Sequence, residues 1–282
     1  MASELGSEGR LRVAANGSVL GLIGSPNRDG RTFEMVTAAL EAAARAGAEV
    51  ELIQMADQVV APCKDCQPWT CMTELKCQYS DPAFEHLSDK LLHCGALVLG
   101  TPIYWWDASG MVKYLILKMF RVHARSAPLG GLPALGIGVA GGTGNGLVSG
   151  LRPLYHFFQM MQMRALEPLP ATRFNWSKAL IRAGELGTQI ASMRYSRHPF
   201  ASAEERLLWY DRLPYLGLSQ AAERRLLAAL AMAALPDHAL PAIARSLVEA
   251  DSLGARGDTE GSLKQITSVY EAAVKVFEDS QG

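Results

Sequence analysis

No apolar run in this sequence approaches the about 18–20 residues that cross a bilayer, so no membrane-spanning helix and no membrane partner are expected. Neither sign of charge prevails: 27 lysines and arginines stand against 28 aspartates and glutamates, a net charge of −1. That balance gives no support to nucleic-acid binding, which draws on a clustered basic excess. Met1 to Gly17 is polar and small, without the apolar centre of a signal peptide. It reads as a loose tail, with the cytoplasm as the expected compartment. The dinucleotide fingerprint G-x-G-x-x-G is missing, and so is a Gly-Lys-Ser/Thr phosphate loop. None of the six histidines (His86, His93, His123, His156, His198 and His238) forms a pair at metal-ligand spacing. No residue stands out as a general acid or base. Cysteine is scarce, yet four of the five cysteines fall between Cys63 and Cys77. In a reducing compartment such clustering points to a metal or redox site over structural disulfides.

What is present is an alternation of short apolar runs and helical stretches. Strands are expected at Ser18–Gly24, Val50–Met55, Ala96–Gly100, Leu135–Val139 and, as a short candidate, Ala165–Leu169. Helices are expected at Thr32–Gly47, Asp81–Cys94 (capped by Ser80 or Asp81), Met111–Val122, Leu151–Met163 and Ser177–Tyr195. The strands are continuous apolar runs, as in a parallel sheet covered on both faces. Five such units fit a doubly wound five-stranded parallel sheet of order 2-1-3-4-5, with a ligand beyond the carboxyl ends of strands 1 and 3. From residue 196 the texture turns wholly helical, at Glu204–Tyr210, Ser219–Ala234, His238–Ala250 and Ser262–Phe277. The chain therefore divides into a tail (1–17), an α/β domain (18–195) with a cysteine insertion at 62–80, and a helical C-terminal extension (196–282).

Three loops at one sheet edge carry ligand chemistry. The first, Gly24 to Thr32, places Ser25, Asn27 and Thr32 at a helix N-terminus, where backbone donors and the helix dipole favour an anion. Arg28 or Arg31 can add charge. Taken alone, an ordinary strand–helix turn capped by Thr32 is an equally good reading. The second loop, Thr101-Pro102-Ile103-Tyr104-Trp105-Trp106-Asp107-Ala108-Ser109-Gly110, is rigidified by Pro102 and offers aromatics to wall a flat ring. Ser109 is placed to cap the following helix, and Lys113 lies one turn in. Core packing is the competing reading for one of the two tryptophans. In the third, Gly141-Gly142-Thr143-Gly144, the glycines let the backbone approach a ligand closely.

These residues resemble the NADPH-dependent FMN reductase family. Gly24-Ser25-Pro26 closing at Thr32 is similar to that family's first phosphate loop. Thr101-Pro102-Ile103-Tyr104 followed by Ser109, Gly110 and Lys113 is similar to its second and most specific signature, and Gly141–Gly144 to its third. The resemblance covers roughly Ser18 to Asn175. It implies a flavodoxin-like fold, bound FMN, a homodimer or homotetramer, and a small-molecule or protein electron donor or acceptor such as NAD(P)H. It implies that Ser25, Asn27 and Thr32 hold the phosphate. Pro102, Ile103, Tyr104 and Trp105, with Ser109, would border the ring and ribityl chain, and Gly141, Gly142, Thr143 and Gly144 would meet the ring's polar edge. Asn27 stands where the family often has arginine, and Arg31 where a small residue is usual, which makes Arg31 the alternative source of phosphate charge.

Cys63-x2-Cys66-x4-Cys71-x5-Cys77 resembles the iron–sulfur flavoprotein branch of the family, in which four cysteines of this region hold a [4Fe–4S] cluster. Here four residues separate the second and third cysteines where two are common. An all-thiolate set suits iron–sulfur or zinc, and empty or redox-active cysteines are the third possibility. Cys94 reads as an inert core cysteine. Lys64 and Lys76 read as surface lysines, Met160 to Met163 as core filling, and Arg224-Arg225 as a solvated helix face. His123 is expected at a helix C-terminus, where positive charge is favoured. Trp209, Tyr210, Tyr215 and Leu216 form an apolar cluster that could cover a site, build a dimer or pack on their own subunit. Three functions follow: an FMN-dependent oxidoreductase with an iron–sulfur relay, an NAD(P)H-dependent FMN or quinone reductase without one, or a cofactor-free interaction protein.

Overall fold

The computed structural model describes residues 17–281. The loose tail expected over 1–17 lies, Gly17 apart, outside them. In chain order the elements are β1 (Val19–Ile23), α1 (Arg31–Arg45), β2 (Val50–Gln54), α2 (Cys71–Glu74), α3 (Pro82–His93), β3 (Ala96–Tyr104), β4 (Asp107–Ala108) and α4 (Gly110–His123). There follow β5 (Pro133–Val139), α5 (Leu147–Met160), β6 (Arg164–Ala165), β7 (Leu169–Ala171), α6 (Trp176–Met193), α7 (Ala203–Asp211), α8 (Gln220–Met232), α9 (Leu240–Ala255) and α10 (Thr259–Gln281).

The sheet runs β2-β1-β3-β5-β6, with β7 also paired to β5 and β4 to β3. Every pairing is parallel except β3 with β4. The core order is the expected 2-1-3-4-5, but the sheet has seven strands where five were expected. One addition arises because the last strand is split. Pro168 falls between β6 and β7, and proline has no amide to give to a ladder. The other is β4, which folds back on an extended β3.

Alternate residues of the central strands serve two cores, which explains why their sequences are apolar throughout. Leu20, Leu22, Leu97 and Leu99 pack with α3, α4 and α5 through Leu87, Leu91, Leu115 and Tyr155. Val19, Ile23, Val98 and Ile137 pack on the other face with α1 and α6 through Val36, Leu40, Ala183 and Ile190. Met161 and Met163 are buried as expected, whereas Met160 is exposed.

The C-terminal helices do not stand apart. Leu227, Ala231, Leu247 and Tyr270 of α8, α9 and α10 share one apolar cluster with Ala140, Leu147 and Phe174, around the start of α5. Each fully buried large apolar side chain there contributes about 1.5–3 kcal/mol. The Trp209 cluster packs on its own chain: Trp209 Nε1 donates to the Ala165 carbonyl (3.0 Å) and Tyr210 Oη to that of Met163 (2.8 Å), closing the sheet beside β6. Among the described residues no helix is long and apolar enough to cross a membrane.

His123 ends α4 as expected but does not carry the expected charge. It is buried, its Nε2 shares a 3.0 Å hydrogen bond with Ser88 Oγ, and burial pushes its imidazole from 6.5 down to about 4. An unfolded chain therefore takes up a proton near pH 6.5 that the folded chain refuses until about pH 4. Stability should fall across that interval as the pH falls, by roughly 2–3 kcal/mol from this group. Urea unfolding of the parent and of His123→Gln at pH 7 and pH 4.5 checks this, and equal losses in the two proteins would refute it.

Candidate functional site

The first loop leaves β1 at Gly24, whose amide bonds the Gly100 carbonyl of β3 at 2.8 Å. Ser25 is buried, and its Oγ accepts from the Asn27 amide (3.2 Å) while its carbonyl accepts from Gln54 Nε2 (2.5 Å). Asn27 in turn accepts the Asp29 amide at 3.1 Å. The loop is thus held by its own polar groups and by β2. Gly30, and not Thr32, is the N-cap of α1, and no side chain caps it. Side chains cap α3, α4, α7 and α8 (Asp81, Ser109, Ser202 and Ser219), whereas α5, α6 and α9, like α1, have no cap from their own N-cap residue. The first-turn amides of α1 have no side-chain partner, and Thr32 is buried just inside them. This is an arrangement open to an anion. The arginines are engaged elsewhere: Arg28 pairs with Asp57, and the Arg31 guanidinium lies 5.2 Å from the Trp176 ring centroid.

The second loop is more ordered than its sequence indicates. β3 continues through Tyr104, and Trp105 and Trp106 form the two-residue turn of a hairpin into β4. Both tryptophans lie in the left-handed region, with φ of 54° and 62°. Such turns favour Asn and Gly, and each L side chain there costs about 1–2 kcal/mol. Trp105 is nevertheless 90% exposed. Tyr104 is also exposed, Pro102 is buried, and the Ile103 side chain packs toward Gly138 and Gly150 under the third loop. Ser109 Oγ caps α4 by accepting from Val112, and the Ser109 amide donates to Thr101 Oγ1 at 2.9 Å. Lys113 pairs with Asp107.

Gly141 and Gly142 are open, with no atom within 4 Å of where a Cβ would stand. Gly144 faces Leu227 of α8, and Gly146 (φ 80°) lies so close to Trp106 that a Cβ would sit 2.7 Å from its Cα. The Tyr270 hydroxyl of α10 donates to the Thr143 carbonyl at 2.5 Å. Glu223 of α8, itself buried, accepts from the Val148 amide (3.3 Å) and from Ser149 Oγ (3.4 Å) at the start of α5. The extension therefore clamps the third loop, and its carboxylate serves the start of α5, whose own N-cap, Gly146, offers no side chain. Glu223, Arg224 and Tyr270 carried no sequence motif, and only tertiary contact brings them here.

The four clustered cysteines are free, half-buried and gathered around one cavity of about 230 Å³, which Lys118 and Arg121 of α4 also line. That space far exceeds the about 30 Å³ of a single water. The loop is pinned to α4. Arg121 pairs with Asp65 (2.8 Å) and stacks 4.3 Å from the Trp69 centroid, and Cys71 Sγ reaches the Arg121 carbonyl at 3.8 Å. Lys64 is exposed as expected, with its Nζ 3.9 Å from the Tyr79 ring centroid at the cavity. Burial, then Cys63, Cys77 and Cys66 in turn, push the Cys71 thiol upward, so the four sulfurs sense one another. The soft donor set suits a thiolate-held metal group, and the lining carries three cations (Lys64, Lys118, Arg121) against two carboxylates (Asp65, Asp81). Among the described residues, however, no three His, Cys, Asp or Glu form a group that could hold a metal ion. Lys118 and Arg121 lie well beyond Ser109 on α4, about 13–18 Å along its axis at 1.5 Å per residue. The cysteine cavity and the three loops thus occupy different ends of one helix. Cys94 is buried, with its thiol pushed up to about 12 by burial, and is inert as expected.

This strand order, with its loops at the switch point, defines a flavodoxin-like α/β protein. The chain belongs to the NADPH-dependent FMN reductase family, whose model matches residues 18–170. It is 37% identical over 98 residues to an iron–sulfur flavoprotein of Methanocaldococcus jannaschii, covering 35% of this chain and 49% of that one. It is 33% identical over 98 residues to an iron–sulfur flavoprotein of Archaeoglobus fulgidus, covering 35% and 46%. The chain spans about half the length of these curated relatives. Among solved structures, RosB with a bound 8-demethyl-8-formylriboflavin-5'-phosphate shares the fold at a TM-score of 0.52 and 14% identity, over 69% of this chain and 86% of that one. A flavone reductase does so at 0.50 and 19%, over 67% and 69%.

One ion pair anchors the cysteine segment. Asp81 and Lys118 are both buried and in contact; Asp81 also accepts from Phe84 (3.1 Å) and Ala61 (2.9 Å). Burial alone would raise the Asp81 carboxyl, but the hydrogen bonds from Lys118, Phe84 and Ala61 outweigh it and hold the group below its ordinary value. Lys118→Met leaves that carboxylate buried without its cation. It should destabilise the fold by about 3–5 kcal/mol, and Asp81→Asn added to it should restore part of the loss. Chemical denaturation of both variants measures this, and a single variant as stable as the parent would refute it.

Proposed function

We propose that this protein is an FMN-dependent oxidoreductase, with the flavin laid across the carboxyl ends of β1, β3 and β5. The observation that carries this reading is the start of α1. It is uncapped by any side chain, lies at the switch point of the sheet, and is flanked by the exposed hairpin aromatics and the open glycines. In this reading Ser25, Asn27, Thr32 and the α1 amides hold the phosphate. Arg31 stays against Trp176 as a peripheral charge. Pro102 and Ile103 contribute backbone, Tyr104 and Trp105 border the ring, and Ser109 stands beside them at the start of α4. The amides of Gly141, Gly142, Thr143 and Gly144 meet the ring's polar edge. Bound there, FMN would supply hydride and single-electron transfer. The protein's part is to place it and to exclude water from one face.

Cys63, Cys66, Cys71 and Cys77 would hold a [4Fe–4S] cluster, which supplies single-electron transfer. Their shared cavity and its net positive lining support this, as does likeness to relatives named iron–sulfur flavoproteins. Lys64, Lys118 and Arg121, set against Asp65 and Asp81, would leave one net positive charge to offset part of the negative charge of the thiolates. A second reading, a cluster-free NAD(P)H-dependent FMN or quinone reductase, is favoured by one observation: among the described residues the cysteines do not converge into a metal-holding group. Under either reading the electron donor or acceptor is a small molecule or a protein, and the active form is a homodimer or homotetramer acting in the cytoplasm.

An absorption spectrum of anaerobically purified protein separates these readings. Flavin bands with a broad shoulder bleached by dithionite are expected, and flavin bands alone would favour the cluster-free enzyme. A colourless protein that refuses added FMN would sink both. Ser25→Ala and Thr32→Val should each weaken FMN binding about tenfold or more, as loss of a hydrogen bond to a charged group does. Cys71→Ala and Cys77→Ala should each lower iron content, and iron unchanged in both would exclude this ligand set.

A further inference from the structure

A second opening lies beside the proposed flavin edge, between the tryptophan hairpin, the third loop and helices α8 and α10. It is a cavity of about 590 Å³, lined among others by Trp106, Asn145, Ser149, Gln220, Arg224 and Thr267. That size suits a small organic molecule. Its two charged side chains differ in state. The Glu223 carboxylate is spent on Val148 and Ser149 at the α5 start, where the helix dipole offsets it. Arg224 is different. Its guanidinium lies 4.7 Å from the Tyr270 ring centroid, and Tyr270 is itself tied to Thr143. Among the described residues no carboxylate pairs with Arg224, whereas its neighbour Arg225 pairs with Asp251 at 2.6 Å. The cavity is thus walled on one side by an indole, presents one uncommitted cation held in place by an aromatic ring, and carries amides and hydroxyls between.

We infer that this cavity binds a planar molecule carrying a single carboxylate. Arg224 takes the carboxylate through its two-pronged donor face, Trp106 walls the ring, and Asn145, Gln220 and Thr267 meet its polar substituents. One cation matched by neutral amides suits one negative charge better than the nearly double charge of a phosphate monoester. Asn145 and Gly146 directly follow Gly141–Gly144, so the ligand lies beside the flavin's polar edge; that placement rests on the flavin reading, while the binding itself does not. The helical extension thereby supplies a ligand site that the α/β domain lacks by itself, since Gln220, Arg224 and Thr267 all come from it.

The test uses the full chain with 2-naphthoate as probe and its neutral isostere 2-naphthamide, by calorimetric titration with and without added FMN. Naphthoate should bind once per chain, and the amide about tenfold more weakly or worse. Arg224→Met should lower naphthoate affinity about tenfold or more, Arg224→Lys by less, and the exposed Arg245→Met not at all. If Arg224→Met fails to fold, Gln220→Ala and Asn145→Ala take its place and should each weaken binding. Absence of naphthoate binding, equal binding of acid and amide, or affinity unchanged in these variants would overturn the proposal. FMN uptake is read separately by visible absorbance. A protein that binds naphthoate but not FMN sinks the flavin reading alone, and one that binds FMN but not naphthoate sinks only this inference.

Discussion

The parallel pairing of β1, β3 and β5 is the constraint on which the rest depends. Ile23 lies opposite Gly100, and Gly100 opposite Ile137. Because all three strands run the same way, all three of their following loops must emerge at one edge. Sequentially distant polar, aromatic and glycine-rich segments become neighbours without any direct attraction between them. The Gly24 amide bonding the Gly100 carbonyl, and Gly146 against Trp106, are where that convergence becomes contact. An antiparallel pairing at either junction would have sent one loop to the opposite end of the molecule.

α4 extends this logic to the cysteines. Its start is tied to Thr101 at the end of the buried part of β3 by Ser109, and its end holds the cysteine segment through Lys118 and Arg121. The segment has almost no regular structure of its own, only the single turn of α2. Its position is therefore set by ion pairs and ring stacking against a helix that belongs to the sheet. The same helix separates the two candidate centres along its length. A relay within one chain would have to cross that distance, and this makes the oligomer a mechanistic question as well as a structural one.

The C-terminal helices alter the edge they cover. Glu223 fills the α5 start, Tyr270 fastens the third loop, and α7 seals the sheet beside β6. The extension also builds a walled cavity against Trp106 and the end of the third loop. The strained turn at Trp105 and Trp106 fits the same picture: it is pressed against Gly146 on one side and presents an indole to solvent on the other.

The sequence by itself determined the sheet order, the helix succession and the three loops, because buried parallel strands and glycine- or proline-marked turns leave local patterns of residue type. It also placed Ser109 as a cap and narrowed the cap of α3 to Ser80 or Asp81, of which Asp81 serves, since capping is decided within four residues. Tertiary structure alone decided what depends on residues far apart in the chain. Pro168 split the last strand only once a partner ladder existed to be interrupted. His123 stood where a positive charge is locally favoured, and burial beside Ser88 made it neutral. The Arg31 guanidinium lies 5.2 Å from the Trp176 ring centroid, and Arg224, read as part of a solvated face, lines a cavity. Charge state, ion pairing and cavity walls are properties of the space between elements, and no single stretch of chain carries them.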